Sequence, residues 1–237
     1  MSTYIVERAK DLKALSRLAA QLIASHIDLV LDQRDRCQIA LSGGSTPSET
    51  YRLLGKEHLP WDRVDVFLAD ERWVEINDLS SNSRLIRETL LSSHPGSEAS
   101  FHPVKTTEFS SPEQSAADYE ELIKNTCEGD PPRFDLILLG IGADGHTASL
   151  FPGTNSLNVT DQYTTTSQGN GLHRVTLTSP VLSAASKVLF LVNGMAKKEA
   201  LKRMLDSAES PDRTPARLVS PNSDIIVLAD EVLANDL

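Results

Sequence analysis

The 237 residues are enough for one α/β domain with a substantial core, and 40% apolar with 24% charged residues is typical of a globular protein. The net charge of −10 argues against general binding to nucleic acid or to an anionic membrane, because both need clustered basic residues. Cys37 and Cys127 have neither metal-ligand nor disulfide-framework spacing. The N-terminal stretch has no apolar signal-peptide core and no segment approaches transmembrane length, so we expect a cytoplasmic protein.

Periodic apolar residues predict strands that alternate with helices. Helices are predicted at residues 11–31, 47–54, 83–91, 112–126, 180–185 and 196–205. Strands are predicted at residues 4–6, 38–41, 64–69, 136–139, 174–178, 187–192 and 224–228. We expect residues 92–107 to form a loop with a short strand near Val104, and the polar residues 154–171 to form a surface excursion.

This alternation predicts an α/β fold with a mostly parallel, Rossmann-like open sheet and helices on both faces. Residues 1–237 are expected to form a single domain, because no repeat, low-complexity tract or linker divides them. Ligands of such sheets bind just outside the carboxyl ends of the strands. The segments that follow the predicted strands are therefore where functional residues are expected.

The first such segment is SGGSTP at residues 42–47, between a predicted strand and a helix. Its glycines let the backbone approach a ligand, its hydroxyls can donate, and the helix N-terminus favours an anion. The residues concerned are Gly43, Gly44, Ser45 and Thr46. The Gly-Lys-Ser/Thr ending of nucleotide P-loops is missing. A phosphate site and a plain capped strand-to-helix turn both remain open.

The second segment is Asp70-Glu71-Arg72-Trp73, directly after another apolar strand. Arg72 offers a planar, permanently charged donor for a carboxylate, a phosphate or a developing oxyanion. The alternative is a surface arginine that pairs with Asp70 or Glu71 beside a packing Trp73. The local sequence leaves both interpretations open.

The third segment is FDLILLGIGADGHTASLFPGT at residues 134–154, where a buried strand ends in three glycines. The glycines match G-x-G-x-x-G, but Pro152 shortens any following helix, and no acidic residue closes a second strand about 20 residues later, so NAD binding is not favoured. We interpret the glycines as space around Asp144 and His146. A histidine there can exchange protons near neutral pH, although a lone histidine is more often structural.

The fourth set is basic: Arg174 begins a predicted strand, and Lys197 and Lys198 lie in the first turn of a predicted helix. Cations there oppose the helix dipole unless an anion lies nearby, and the alternative is a pair of solvated lysines. No pair of histidines has metal-ligand spacing, so no metal site is predicted.

Five segments then carry a resemblance: SGGSTP at 42–47, DERWV at 70–74 followed by Ser81-Asn82, GIGADGHTASLFPG at 140–153, RVTLT at 174–178 and GMAKKEAL at 194–201. In this order they resemble the 6-phosphogluconolactonase family, within the glucosamine-6-phosphate isomerase/6-phosphogluconolactonase superfamily. The resemblance implies hydrolysis of 6-phospho-D-glucono-1,5-lactone in the oxidative pentose phosphate pathway, without metal or organic cofactor. One departure is Glu75-Ile76, where this family commonly has a proline.

The sister branch, glucosamine-6-phosphate deaminase, is the main alternative. That branch typically continues its Gly-His segment as I-A-F-N-E-P and has a tyrosine where Arg72 stands. This chain has TASLFP at residues 147–152, so it lacks that glutamate, and the resemblance favours the lactonase. A non-catalytic sugar-phosphate-binding protein is a further alternative, and the oligomeric state is left open.

The resemblance gives each candidate residue a hypothetical role. His146 would be the general base, Asp144 would orient it, and Arg72 would stabilise charge on the carbonyl oxygen. The substrate, a small phosphorylated sugar lactone, would be bound by Gly43, Gly44, Ser45, Thr46, Asp70, Arg174 and Lys197.

Overall fold

The computed structural model describes residues 3–234. These residues contain ten strands and seven α-helices. The strands are β1 (Tyr4–Ala9), β2 (Cys37–Leu41), β3 (Val64–Leu68), β4 (Asp70–Arg72), β5 (Ser100–Phe101), β6 (Leu136–Leu139), β7 (Thr164–Gly169), β8 (Leu172–Leu177), β9 (Val188–Val192) and β10 (Ile225–Asp230). The helices are α1 (Leu12–Leu31), α2 (Ser48–Leu54), α3 (Asn82–Glu88), α4 (Pro112–Thr126), α5 (Ser179–Ala184), α6 (Lys198–Leu205) and α7 (Glu231–Ala234).

Seven strands form one parallel sheet in the order β1-β10-β9-β6-β2-β3-β5. Every pair in it is parallel, which confirms the predicted α/β class and open sheet. The register pairs Leu41 of β2 with both Leu68 of β3 and Leu138 of β6, so these strands end at the same level. The segments that follow β2, β3, β6 and β9 therefore meet at one edge of the sheet.

Helices cover both faces of the sheet, because successive side chains of a strand point to opposite sides. In β6, Leu136 and Leu138 pack in the cluster that contains α1, α2 and α3. Ile137 and Leu139 pack in the other cluster, with α4, α5 and α6. All four residues are buried, which explains why β6 reads as a continuous apolar run.

A second, three-stranded antiparallel sheet has the order β4-β8-β7 and corrects two expectations. Residues 70–73 were expected to follow a strand as part of a loop, and residues 154–171 to form a surface excursion. Instead β4 pairs with β8, and β7 pairs along six residues with β8. Strand β7 is polar because it packs partly through hydrogen bonds: Thr164 Oγ1 donates to the Ala116 carbonyl of α4 at 2.7 Å.

Smaller differences from the prediction include the position of β5, the start of α2 and an additional helix. The short strand β5 lies at Ser100–Phe101, not near Val104, because Phe101 pairs with Val66 of β3. Pro47 precedes α2 as its cap instead of opening the helix, and α7 was not predicted.

Helix α1 corrects the expectation that no segment approaches transmembrane length. By length and composition alone this 20-residue helix could cross a membrane. In this fold one side of the helix is buried, and Leu15, Ile23 and Ile27 pack in the core beside the sheet. The helix begins where Asp11 accepts a hydrogen bond from the Ala14 N–H at 2.8 Å.

A charged cluster lies beside the amino ends of β2 and β3, away from the strand ends that carry the motifs. Arg36 donates twice to Asp65, at 2.7 Å each, and His102 Nε2 lies 2.9 Å from the same carboxylate. Burial alone would raise the pKa of Asp65, but hydrogen bonds from His102, Arg36 and Gln38 outweigh it and hold this pKa well below its usual range.

Candidate active site

A cleft opens where the parallel strands end, and nine of the ten predicted site residues line it. They are Gly43, Gly44, Ser45, Thr46, Asp70, Arg72, His146, Arg174 and Lys197. The tenth, Asp144, does not line the cleft but bonds to His146. The residues come from both sheets, since β4 and β8 contribute the arginines and the ends of β2, β6 and β9 supply the loops.

His146 and Asp144 form a hydrogen-bonded pair. His146 Nδ1 lies 2.6 Å from Asp144 Oδ1, and the His146 backbone N–H donates to the same oxygen at 3.1 Å. Burial would raise the pKa of Asp144, but the bonds from His146 outweigh it and lower this pKa below its usual value. The ionised carboxylate therefore accepts from Nδ1–H, and Nε2 is left to accept a proton. Within residues 3–234 no hydrogen bond to Nε2 is found.

Gly142 provides the space for this pair. A Cβ atom at Gly142 would lie 2.1 Å from His146 Nδ1 and 2.4 Å from Asp144 Oδ1. The Gly142 N–H also donates to the His146 carbonyl at 2.8 Å, which fixes the two residues relative to each other. The interpretation of the glycines as space for a histidine and an aspartate thus has a geometric basis at Gly142, whereas a Cβ atom at Gly145 would approach Thr214 instead.

The turn at residues 42–47 carries unpaired donors. In the described part of the chain, no acceptor is found for the backbone N–H groups of Gly43, Gly44, Ser45 and Thr46. Gly44 has φ +107°, a left-handed conformation that glycine adopts readily. Successive free amides in such a turn form a concavity that binds anions, and phosphate is one.

Asn82, at the start of α3, packs directly on this turn. A Cβ atom at Gly43 would lie 1.7 Å from Asn82 Oδ1, so a larger residue cannot replace this glycine without moving Asn82. Asn82 Nδ2 donates to the Asp70 carbonyl at 2.8 Å. The turn after β2 is therefore held in position against the segment after β3.

Arg72 on β4 and Arg174 on β8 stand opposite each other in neighbouring antiparallel strands. Arg72 Nη1 donates to the Ser80 carbonyl, and Arg174 Nη2 donates to the Gly169 carbonyl at 3.4 Å. Burial lowers the pKa of Arg174, and the charge of Asp70, 3.7 Å away, offsets part of the effect. Among the described residues the Nε atoms of both arginines lack a partner, so each keeps an unused donor.

Asp70 connects the arginines to the histidine loop. Its Oδ2 accepts from Ser149 Oγ at 2.6 Å and lies 3.7 Å from Arg174 Nη1, and its Oδ1 lies 3.3 Å from Asn82 Nδ2. Direct binding of substrate by Asp70 stays a prediction. The contacts of its carboxylate indicate that it orients Arg174 and the loop that carries Ser149.

Glu71 is buried and caps α3. Its carboxylate accepts from the backbone N–H groups of Arg72 at 2.8 Å and of Asn82 and Ser83 at 2.7 Å each. Burial raises the pKa of Glu71, although these donors act in the opposite direction. The alternative of a surface ion pair between Arg72 and Glu71 does not hold, because Glu71 binds the main chain and not the guanidinium.

Lys197, but not Lys198, lines the cleft. It ends a 3-10 turn, and Lys198 opens α6, so the expectation that both lie in the first helical turn holds only for Lys198. Lys197 makes no ion pair within the described residues. With Arg72 and Arg174 it gives the cleft three cations against one carboxylate, Asp70, in a chain of net charge −10.

Several residues at the site were not predicted. Asn193 and Ala148 line the cleft, and Ala148 adopts φ +47°, unusual for a residue with a Cβ atom. Asn82 and Ser149 both donate hydrogen bonds to Asp70. The only sequence signal for these was the position of Asn82 shortly after the DERWV segment, because the other contacts form between distant parts of the chain.

The segment after β6 and the placement of possible metal ligands bear on the dinucleotide and metal-binding alternatives. After β6 the chain turns at residues 142–145 and no helix begins there; the next helical turn is Asn155–Asn158. The helix that a dinucleotide fingerprint requires is therefore missing at this position. Within residues 3–234 no group of three His, Cys, Asp or Glu side chains is placed to hold a metal ion.

The sequence matches the model of the family described as glucosamine-6-phosphate isomerases/6-phosphogluconolactonase over residues 10–228. The chain belongs to this family. Within it, the chain is similar to the 6-phosphogluconolactonase of Synechocystis sp., with 38% identity over 218 residues that cover 91% of this chain and 90% of that protein.

Solved structures of this family share the fold. The 6-phosphogluconolactonase of Trypanosoma brucei is 27% identical, with a TM-score of 0.88, and the match covers 100% of both chains. That of Shewanella baltica is 29% identical, with a TM-score of 0.87, and the match covers 97% of this chain and 98% of the other. Because the family description names two activities, membership alone does not choose between them.

Proposed function

We propose that this chain hydrolyses 6-phospho-D-glucono-1,5-lactone to 6-phospho-D-gluconate, with His146 as the general base. The observation that carries the proposal is the Asp144–His146 pair at the edge of a cleft that also holds three cations and a turn of free amides. A base and an anion site are what the hydrolysis of a phosphorylated lactone needs. Several curated relatives that this chain resembles along most of its length are named 6-phosphogluconolactonase.

The phosphate of the substrate binds at the turn of residues 42–47. Four unpaired backbone N–H groups and the side chains of Ser45 and Thr46 supply neutral donors, and Lys197 supplies a charge. Such donors are more effective than solvated ones, because folding has already fixed their positions. This places the lactone ring toward His146 and the arginines.

Hydrolysis then proceeds by attack of water on the lactone carbonyl. His146 Nε2 takes a proton from the water as its oxygen bonds to the carbonyl carbon, and Asp144 holds Nδ1–H and stabilises the imidazolium that forms. Arg72 stabilises the negative charge that develops on the carbonyl oxygen. The bond to the ring oxygen then breaks, and His146 returns the proton to that oxygen. A lactone is already an activated ester, so no covalent nucleophile is required.

The test is the decay rate of the lactone above its spontaneous rate, measured for the wild type and for His146→Ala. General base catalysis is worth about 10²- to 10⁴-fold, so His146→Ala should lose turnover on that scale and remain folded. His94→Ala is a matched control, since that side chain is 74% exposed and its ion-pair partner among residues 3–234 is Glu98, at the surface. Near-normal turnover by His146→Ala would contradict the assignment of the base.

Two other functions would give different results in companion assays on the same protein. Ammonia release from glucosamine 6-phosphate would indicate the deaminase. Binding of 6-phosphogluconate without faster lactone decay would indicate a non-catalytic sugar-phosphate-binding protein. Arg72 and the segment TASLFP at residues 147–152 favour the lactonase over the deaminase.

For location we propose the cytosol, because Cys37 and Cys127 are both free and buried, as is usual in a reducing compartment. Cell fractionation tests this.

A single domain over residues 1–237 and the lack of nucleic-acid or membrane binding also stay predictions. One cooperative unfolding transition and no retention on DNA or on anionic vesicles are the expected results.

A further inference from the structure

An aromatic ring lies between the histidine and one of the arginines. The ring centroid of Phe151 is 4.3 Å from that of His146, with 38° between the planes. The guanidinium carbon of Arg174 lies 5.4 Å from the same Phe151 ring. Phe151 is 7% exposed and does not line the cleft, so it supports both groups from behind.

Gly169, near the end of β7, makes room for this ring. A Cβ atom at Gly169 would lie 2.3 Å from Phe151 Cζ and 2.4 Å from Cε2. The backbone of Gly169 is not left-handed, so the glycine is needed for space and not for conformation. The Gly169 carbonyl also accepts from Arg174, so the ring, the strand and the guanidinium form one packed unit.

The hydrogen bond to Asp144 fixes one edge of the imidazole but leaves the ring free to tilt about that bond. The tilted Phe151 ring packed against the imidazole restricts this freedom, and a ring near a guanidinium also attracts the cation. A misplacement of about 1 Å at a reacting group can lower a rate about 100-fold. The position of the imidazole therefore depends on more than its hydrogen bond.

We propose that Phe151 is a positioning residue, which holds the imidazole of His146 at the angle needed for proton transfer and supports Arg174 beside it. The proposal rests on the proposed function for its kinetic effect. The contact itself can be measured without substrate, so failure of one is distinguishable from failure of the other.

The first variant is Phe151→Leu, with Phe134→Leu as the matched control. Phe134 is also buried, but it precedes β6 at the opposite end of that strand from the cleft, and it packs on Phe67. Phe151→Leu should lower kcat about 10- to 100-fold with a smaller change in KM. Phe134→Leu should lower the melting temperature and leave kcat within about twofold of the wild type. Equal kcat in both variants would overturn the proposal.

The second variant, Gly169→Ala, pushes the ring from the other side and removes no side chain. Introduced into the wild-type protein, this substitution should lower kcat, because the new methyl group displaces the Phe151 ring. In the Phe151→Leu background the same change should have little further effect, since Leu has no Cζ atom there. Additive losses in the double variant would mean that Gly169 acts by another route.

The third measurement is the NMR resonance of the proton bonded to His146 Cε1. This resonance is identified because it is missing from the spectrum of His146→Gln. A phenyl ring at 4.3 Å shifts this resonance by its ring current, so the resonance should move in both Phe151→Leu and Gly169→Ala. Phe134→Leu should leave it in place. If the resonance does not move in Phe151→Leu, the proposal is overturned, whether or not the protein hydrolyses the lactone.

Discussion

The substitution Gly142→Ala tests the geometry of the His146–Asp144 pair with a single methyl group. Its Cβ atom would lie 2.1 Å from His146 Nδ1, 2.2 Å from Cε1 and 2.4 Å from Asp144 Oδ1. Ordinary contact between such atoms is about 3.5 Å, so the imidazole would have to move by roughly 1.4 Å. The hydrogen bond from Gly142 N–H to the His146 carbonyl prevents the backbone from yielding easily.

The expected magnitude follows from that displacement. A reacting group misplaced by about 1 Å costs about 10² in rate, and complete loss of a general base costs about 10²- to 10⁴-fold. Gly142→Ala should therefore lower kcat at least about 100-fold, equal to about 2.7 kcal/mol of transition-state stabilisation. KM should change little, because the atoms nearest to the new methyl group belong to His146 and Asp144 and not to the turn at residues 42–47.

The assay is steady-state lactone hydrolysis by Gly142→Ala, His146→Ala and the double variant. If the methyl group acts by displacing the base, it has no further effect once the base is gone, so the double variant should match His146→Ala. Gly140→Ala is an informative comparison, since a Cβ atom there meets no protein atom within 4 Å. Retained kcat in Gly142→Ala, or a further loss in the double variant, would refute the reasoning.

Three other changes have expected outcomes. Asp144→Asn should lower kcat strongly with little change in KM, and the pairing in the wild type should persist above the depressed pKa of Asp144 and fail only below it. Lys197→Met should raise KM more than it lowers kcat, whereas Lys198→Met, outside the cleft, should leave both near wild type in the same assay. Asp65→Asn should destabilise the fold by about 1–3 kcal/mol in urea titrations. Because the folded pKa of Asp65 is depressed, its contribution is full above the unfolded pKa of about 4 and is lost as pH falls, so the variant should unfold with a weaker acid dependence.

Much of the main sheet could be predicted from the sequence, because its signals are local. Helix α4 and strand β6 have the predicted bounds: Pro112 and a cap at Ser111 mark the start of the helix, and four apolar residues make the strand. The second sheet could not be predicted in this way, for two different reasons. Strand β4 has three residues and is defined by pairing with β8, which lies far away in sequence. Strand β7 pairs with β8 across the two-residue turn Asn170-Gly171, but its polar sequence conceals this hairpin.

The same distinction applies to the candidate site. Asp144 and His146 are two residues apart, so their partnership could be proposed from the sequence alone. The role of Asn82 at Gly43, of Phe151 at His146 and of Gly169 at Phe151 depends on side chains that meet only after folding. Phe151 and His146 belong to the same segment, but their contact depends on how the chain turns between them, and the other two contacts join segments that are distant in sequence.

Asp70 explains why motifs so far apart in sequence form one site. Its carboxylate accepts from Ser149, three residues after His146, and lies beside Arg174, while its carbonyl accepts from Asn82, which packs on Gly43. A buried carboxylate with such partners strongly disfavours their separation, because any one leaving exposes an unpaired charge or donor in a dry environment. The turn at residues 42–47, Arg174 and the loop that carries His146 are therefore connected through one residue.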